Sequence, residues 1–177
     1  MEITYEQAQN MLNLPKKIVE NDKLLDKLII HQKFPFFARF ELVTESNYDL
    51  NFLWEIKQSK KNRIRISLHY QDNDSKIGLL RVDYNGGHRN PEFATEHVPE
   101  KLRPFTGKEF TIKEHHIHYH VQGYSSLAWA IPLTEDDFAI KEINDNEELN
   151  SIFANTIKLF AKTINIETEI SINELLL

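Results

Sequence analysis

The sequence predicts an α+β fold: a mostly antiparallel sheet of about six strands, with helices from the N- and C-terminal segments packed on one face. Two observations predict it. Residues 36–84 hold four short runs rich in β-branched and aromatic residues, FFARFELV, LNFLWEIK, NRIRISLHY and KIGLLRVDY, parted by the polar turns TESN, QSKK and QDND. Residues 149–164 instead place Leu149, Ile152, Phe153, Ile157, Phe160 and Ile164 at helical spacing. At 177 residues the chain has the length of one domain. It reads as a helical segment over 1–32, a sheet over 36–133 and a helix over 145–165.

Thr4 followed by Gln7 has the form of a capping box, so a helix starts there and Pro15 interrupts it. Ile18, Leu24, Leu25, Leu28 and Ile29 recur at roughly helical spacing, which predicts one or two helices before residue 32. From residue 36 the period changes to two. In the third run Ile64, Ile66, Leu68 and Tyr70 share one face, with Arg63, Arg65, Ser67 and His69 on the other. In the fourth, Leu80, Val82 and Tyr84 oppose Leu79, Arg81 and Asp83. A loop of about two dozen residues, 85–108, follows; loops of that length are more often functional than short ones. In FTIKEHHIHYHV the apolar phase switches from Phe110 and Ile112 to Ile117, Tyr119 and Val121, so a bulge or bend is expected near Lys113 to His115. LAWAIPL (127–133) reads as a central strand buried on both sides, and TEISI (168–172) as a short strand-like tail.

Composition narrows the chemistry. Hydrophobic residues make up 41% and charged residues 27%, as in an ordinary globular protein. The absence of cysteine excludes thiolate metal sites, a cysteine nucleophile and disulfides. The acidic, polar start MEITYEQAQN is unlike a secretory signal and no apolar run has the length of a membrane span, so a cytoplasmic protein without a membrane partner is expected. Gly86-Gly87 lacks the lysine and hydroxyl of a nucleotide-binding loop, and serine-triad signatures are missing. The net charge is −6, yet residues 134–150 alone hold seven acids and one lysine. The remainder is neutral and carries a basic cluster, Lys57, Lys60, Lys61, Arg63 and Arg65, suited to nucleic acid or to a solvated hairpin tip.

The stretch KEHHIHYH (113–120) places four of the eight histidines within six residues. With Ile117, Tyr119 and Val121 facing the core, His116, His118 and His120 share the opposite face. Residues two apart on a strand are about 6.5–7 Å apart at Cα, so His118 and His120 can converge on one metal ion or one phosphate. A metal would need a third ligand, for which Asp83, His88, His97 and Glu114 are candidates. Acid–base cleavage of RNA by its own 2′-hydroxyl needs a base, an acid and a cation for the phosphate. His118 and His120, or one of them with His88, supply the first two; Arg81, Arg63 or Arg65 supplies the third, with Tyr84 or Tyr119 to stack or donate. His31 and His69 read as ordinary surface or core histidines.

The blocks LLRVDYNGGHRNP, VP, PFT, HIHYHVQGY and LAWAIPL, within residues 79–133, resemble those of an uncharacterised family of bacterial and phage proteins. The R-x-D-x-x-G-G-H block also resembles the histidine-rich core of RNase-like toxins of toxin–antitoxin pairs, which implies site roles for Arg81, Asp83 and His88. Those toxins continue with further histidines where this chain has Arg89, Asn90 and Pro91. The resemblance implies a phage or mobile-element protein acting in host–phage conflict, as a toxin or as a CRISPR inhibitor. The expectation is an RNA-acting protein, a metal-independent endoribonuclease built on His118, His120, His88, Arg81 and Asp83, with the basic cluster holding RNA and no cofactor. Its partners would be RNA or a ribonucleoprotein, a CRISPR effector or an antitoxin. Two rivals stand beside it: a non-catalytic inhibitor that binds a protein through its acidic segment or basic hairpin, and a metal-dependent enzyme with a His-x-His site.

Overall fold

The structure, a computed structural model, describes residues 2–45 and 47–174. It contains helices α1 (Tyr5–Asn13) and α2 (Leu149–Thr163) and strands β1 (Lys17–Glu20), β2 (Lys23–Leu24), β3 (Lys27–Gln32), β4 (Phe37–Thr44), β5 (Asn47–Gln58), β6 (Ile66–Asp72), β7 (Gly78–Tyr84), β8 (His88–Arg89), β9 (Glu109–Phe110), β10 (His116–Tyr119), β11 (Trp129–Pro132) and β12 (Glu169–Glu174). The fold class is α+β, as the sequence predicts, but one antiparallel sheet holds eight strands rather than about six, in the order β11-β10-β7-β6-β5-β4-β1-β2. Two small sheets, β12-β3 and β8-β9, complete it. Of the turn expected at 44–47, position 46 lies outside the described residues.

The additional strands come from residues 17–32, where helix was expected. Asn21 and Asp22 both take positive φ, 51° and 60°, the conformation of a two-residue type I′ hairpin turn, and β1 and β2 pair across it. Ile18 is buried between exposed or half-buried neighbours, which is strand alternation. β3 then runs parallel to β12, from Lys27↔Glu169 to Gln32↔Glu174. Long-range pairing with the C-terminal strand, which local spacing cannot report, overrides the helical pattern. α1 forms as expected, with Thr4 and Gln7 exchanging both bonds of the capping box.

Both helices cover one face of the sheet. Trp54 of β5 stacks on Phe160 of α2 at 6.3 Å, and Phe36 meets Phe153 edge-on at 5.8 Å. Tyr5 of α1 packs against Tyr119 of β10, and the Tyr70 hydroxyl donates to the Met11 carbonyl. Phe153, Ile157 and Phe160 are fully buried, and truncation to alanine costs about 3–5 kcal/mol at either phenylalanine and about 2–5 kcal/mol at Ile157. The sheet's other face is polar in its middle. There β7 runs between β6 and β10, with Arg81 opposite His69 and His118, and Asp83 opposite Ser67 and His116.

β11 is the last strand of the sheet, not a central one. It is buried nonetheless because the long loop folds over it. Asn90, 2% exposed, accepts from the Ala130 N–H at 2.9 Å and donates to the Ala130 carbonyl at 2.7 Å, replacing a neighbouring strand. The phase switch after Phe110 is a full break: residues 111–114 turn, β9 pairs with β8, and β10 belongs to the main sheet.

Lys16 ties the N-terminal segment to the end of α2. Its side chain is fully buried, its ammonium donates to the carbonyls of Leu12, Leu14 and Ile164 at 3.1, 2.6 and 2.8 Å, and it stands over the Phe52 and Tyr70 rings. Burial lowers its pKa to about 7. Replacing Lys16 with methionine strands three carbonyls, so a loss of about 2–4 kcal/mol is expected in urea unfolding. A Lys16→Met midpoint equal to the parent's would show that the tie contributes nothing.

Candidate functional site

The polar face of the sheet opens into a cleft of about 1230 Å³. Its wall and floor come from β4, β5, β6, β7 and the hairpin between β5 and β6. Among the described residues six cations line it, Arg39, Lys57, Lys60, Lys61, Arg65 and Arg81, against two acids, Glu55 and Asp83. The basic hairpin and the R-x-D strand, far apart in the chain, therefore share one concavity. Register explains the convergence: Arg39, Glu55, His69, Arg81 and His118 are cross-strand neighbours in one row, and Phe37, Lys57, Ser67, Asp83 and His116 in the next. Phe37, 61% exposed, presents an aromatic ring at the rim. Arg63 instead pairs with Asp145 at 3.5 Å and faces the Phe34 ring.

At the floor, Arg81 Nε lies 2.9 Å from Asp83 Oδ2 in a partly buried ion pair. A Cβ on Gly86 would approach the Asp83 Cβ to 3.2 Å, so the first glycine of the G-G pair lets the turn lie against this acid. Burial alone raises the Asp83 carboxyl, but the Arg81 charge and a bond from Ser67 act against it, and the group is held well below the usual carboxylate range.

Behind this pair lie two sealed imidazoles. His116 and His118 are both fully buried, with ring centroids 4.7 Å apart. Burial is the chief cause that lowers His118 to about 4 and His116 to about 3, so both are neutral at pH 7. His118 Nδ1 donates to the Leu127 carbonyl at 2.9 Å, which leaves Nε2 as the lone-pair nitrogen. Nε2 accepts from Arg81 Nη2 at 2.9 Å and stands 3.1 Å from Asp83 Oδ2. Two lone pairs face each other there, held together by the guanidinium between them. His116 packs against Phe110 and His88, and neither of its ring nitrogens has a hydrogen-bond partner among the described residues.

The other expected site residues, His88 apart, are dispersed. His88 joins the cluster through its ring, 4.4 Å from His118, while its Nε2 meets the Ala128 carbonyl and Asn90. His120 does not converge with His118: β10 ends at Tyr119, and the His120 Nε2 contacts the Ile3 carbonyl at 2.6 Å. Tyr84 and Tyr119 are buried on the helix-covered face, bonded to the Ile140 carbonyl and Asp136. His97 pairs with Glu96, and Glu114 accepts from the Thr111 N–H. Of the metal-ligand sets open to the histidine-rich strand, the one that assembles is Asp83, His116 and His118, with ligand atoms within 4.8 Å of one another.

The acidic segment is not a free tail. Phe138 and Ile143 anchor it in the core and Asp136 binds Tyr119. Among the described residues no helix is long and apolar enough to cross a membrane.

A family of unknown function, DUF6978, matches residues 3–166. The chain belongs to that family. The match takes in α1, the whole main sheet and α2, so the family's shared region includes the cleft and its floor. No curated protein and no solved structure matches the chain.

Residue-level reading missed Arg39, Glu55, His69 and Phe37 as cleft residues, and it paired His118 with His120 rather than with His116. The alternation in FFARFELV carries a signal for Arg39 and Phe37, but only strand register sets them level with Arg81 and Asp83.

Stability should report the sealed imidazoles. Both pKa values are depressed in the fold relative to 6.5, so between pH 6.5 and about 4 the unfolded chain binds more protons. Stability present above pH 6.5 is then lost as pH falls toward 4, at up to about 1.4 kcal/mol per unit for each ring. Urea midpoints measured at pH 7, 6 and 5 with a chelator present should fall in that order, and less steeply in His118→Asn. Equal slopes in the two proteins would exclude His118 as a source.

Proposed function

We propose that the protein binds single-stranded RNA in the cleft, with the cations of the basic hairpin and Arg81 on phosphates and Phe37 as a stacking surface. The observation that carries this reading is the convergence of six cations with an exposed aromatic ring in one open cleft. Tracking a backbone electrostatically while stacking bases on aromatic rings is the usual physics of single-strand binding. The net charge of −6 does not oppose it: Asp145 of the acidic segment reaches Arg63 of the hairpin, but no acid of 134–150 is among the described residues that line the cleft. Steering responds to the local potential more than to the sum.

The geometry favours binding over acid–base cleavage. His118 is sealed and neutral, and its lone-pair nitrogen is already bound to Arg81. His120 is bonded to the N-terminal segment, so the pair expected from the sequence does not flank a common phosphate. A setting in host–phage conflict, with guide RNA as one target, is compatible with such a protein and forms part of the proposal.

About four phosphate contacts give a salt slope near −3 for a single strand. Fluorescence anisotropy with a labelled oligoribonucleotide should show this slope. Lys60→Glu with Lys61→Glu should weaken binding at least tenfold and flatten the slope, whereas Lys27→Glu, on β3 and paired with Glu169, should not. Unchanged affinity in the double variant would sink the reading.

A further inference from the structure

We propose that Asp83, His116 and His118 form a binding site for one divalent transition-metal ion, of the zinc, nickel or ferrous-iron class, beneath the cleft. His118 Nε2 and His116 Nε2 lie 3.1 and 3.8 Å from the same oxygen, Asp83 Oδ2. Ligands about 2.0–2.1 Å from zinc stand roughly 3.3 Å apart in a tetrahedron, so small side-chain shifts bring these atoms to binding distance. Two imidazoles and a carboxylate suit borderline transition metals better than magnesium or calcium, which favour oxygen.

Two further observations point to an ion rather than to a polar knot. His116 is fully buried with both ring nitrogens unpartnered, which is rare for a buried polar group unless something binds it. His118 donates Nδ1–H to the Leu127 carbonyl, so its Nε2 lone pair is fixed toward Asp83; metal-bound histidines are oriented in this way. Arg81 then has a definite role in the metal-free state. Its guanidinium lies 2.9 Å from both His118 Nε2 and Asp83 Oδ2, where it supplies the positive charge that the ion would bring. The Arg81 side chain is 31% exposed toward the cleft, so it can withdraw into solvent as an ion enters. Arginine and metal compete for the same lone pairs.

The inference does not depend on the RNA reading, because ion binding is measured without nucleic acid and the hairpin lysines take no part in it. Untagged protein stripped with a chelator is dialysed against zinc, and bound metal is counted by mass spectrometry; cobalt(II) uptake is followed by visible absorption. About one ion per chain is expected. His116→Ala and Asp83→Asn should each weaken binding by about tenfold or more, while His97→Ala should not. Arg81→Ala should bind about tenfold more tightly, a gain that damage to the fold would not produce. The proposal is overturned if the stripped parent takes up no zinc at micromolar concentration, if the cobalt spectrum persists in His116→Ala, or if Arg81→Ala binds no better than the parent.

Discussion

The register of β7 between β6 and β10 is the constraint on which the rest depends. It sets Arg81 level with His69 and His118, and Asp83 level with Ser67 and His116. A slip of one residue would turn Arg81 and Asp83 beneath the helices and bring Leu80, Val82 and Tyr84 to water. Burial of those three side chains, each at most 1% exposed, opposes that slip. The core thus selects the geometry of the cleft floor without touching it.

The floor itself is built against ordinary electrostatics. A buried carboxylate, a guanidinium and two neutral imidazoles leave little water among them, and burial of charge is unfavourable unless the partners are close. The Arg81–Asp83 pair satisfies that condition, and Gly86 lets the chain turn tightly enough to cover it. His116 does not share in the compensation.

Much of this was legible in the residues. Alternation in 62–84 identified both the strands and the polar side of β7, and the spacing from Leu149 to Ile164 identified α2, because each pattern reflects burial against a single partner surface. The helical reading of residues 17–32 failed for the opposite reason. β3 is a strand through its pairing with β12, more than a hundred residues away, although Asn21-Asp22 did carry the local mark of a tight hairpin. The histidine stretch was read with His116 and His118 on one face, as found, but with His120 wrongly set beside them. Its strand stops at Tyr119, and no local pattern marks where a strand stops pairing. Cross-strand height, which sets Arg39 and Lys57 level with Arg81 and Asp83, depends on pairing across several strands and is invisible to any single run.

Asn90 carries a consequence beyond its own two hydrogen bonds. By meeting both backbone groups of Ala130, it closes the β11 border to any further ribbon of chain. The opposite border is β2, only two residues long. The small parallel pair β3–β12 stands outside this protection, so the main sheet is closed at its β11 border while the smaller sheet keeps its own edges.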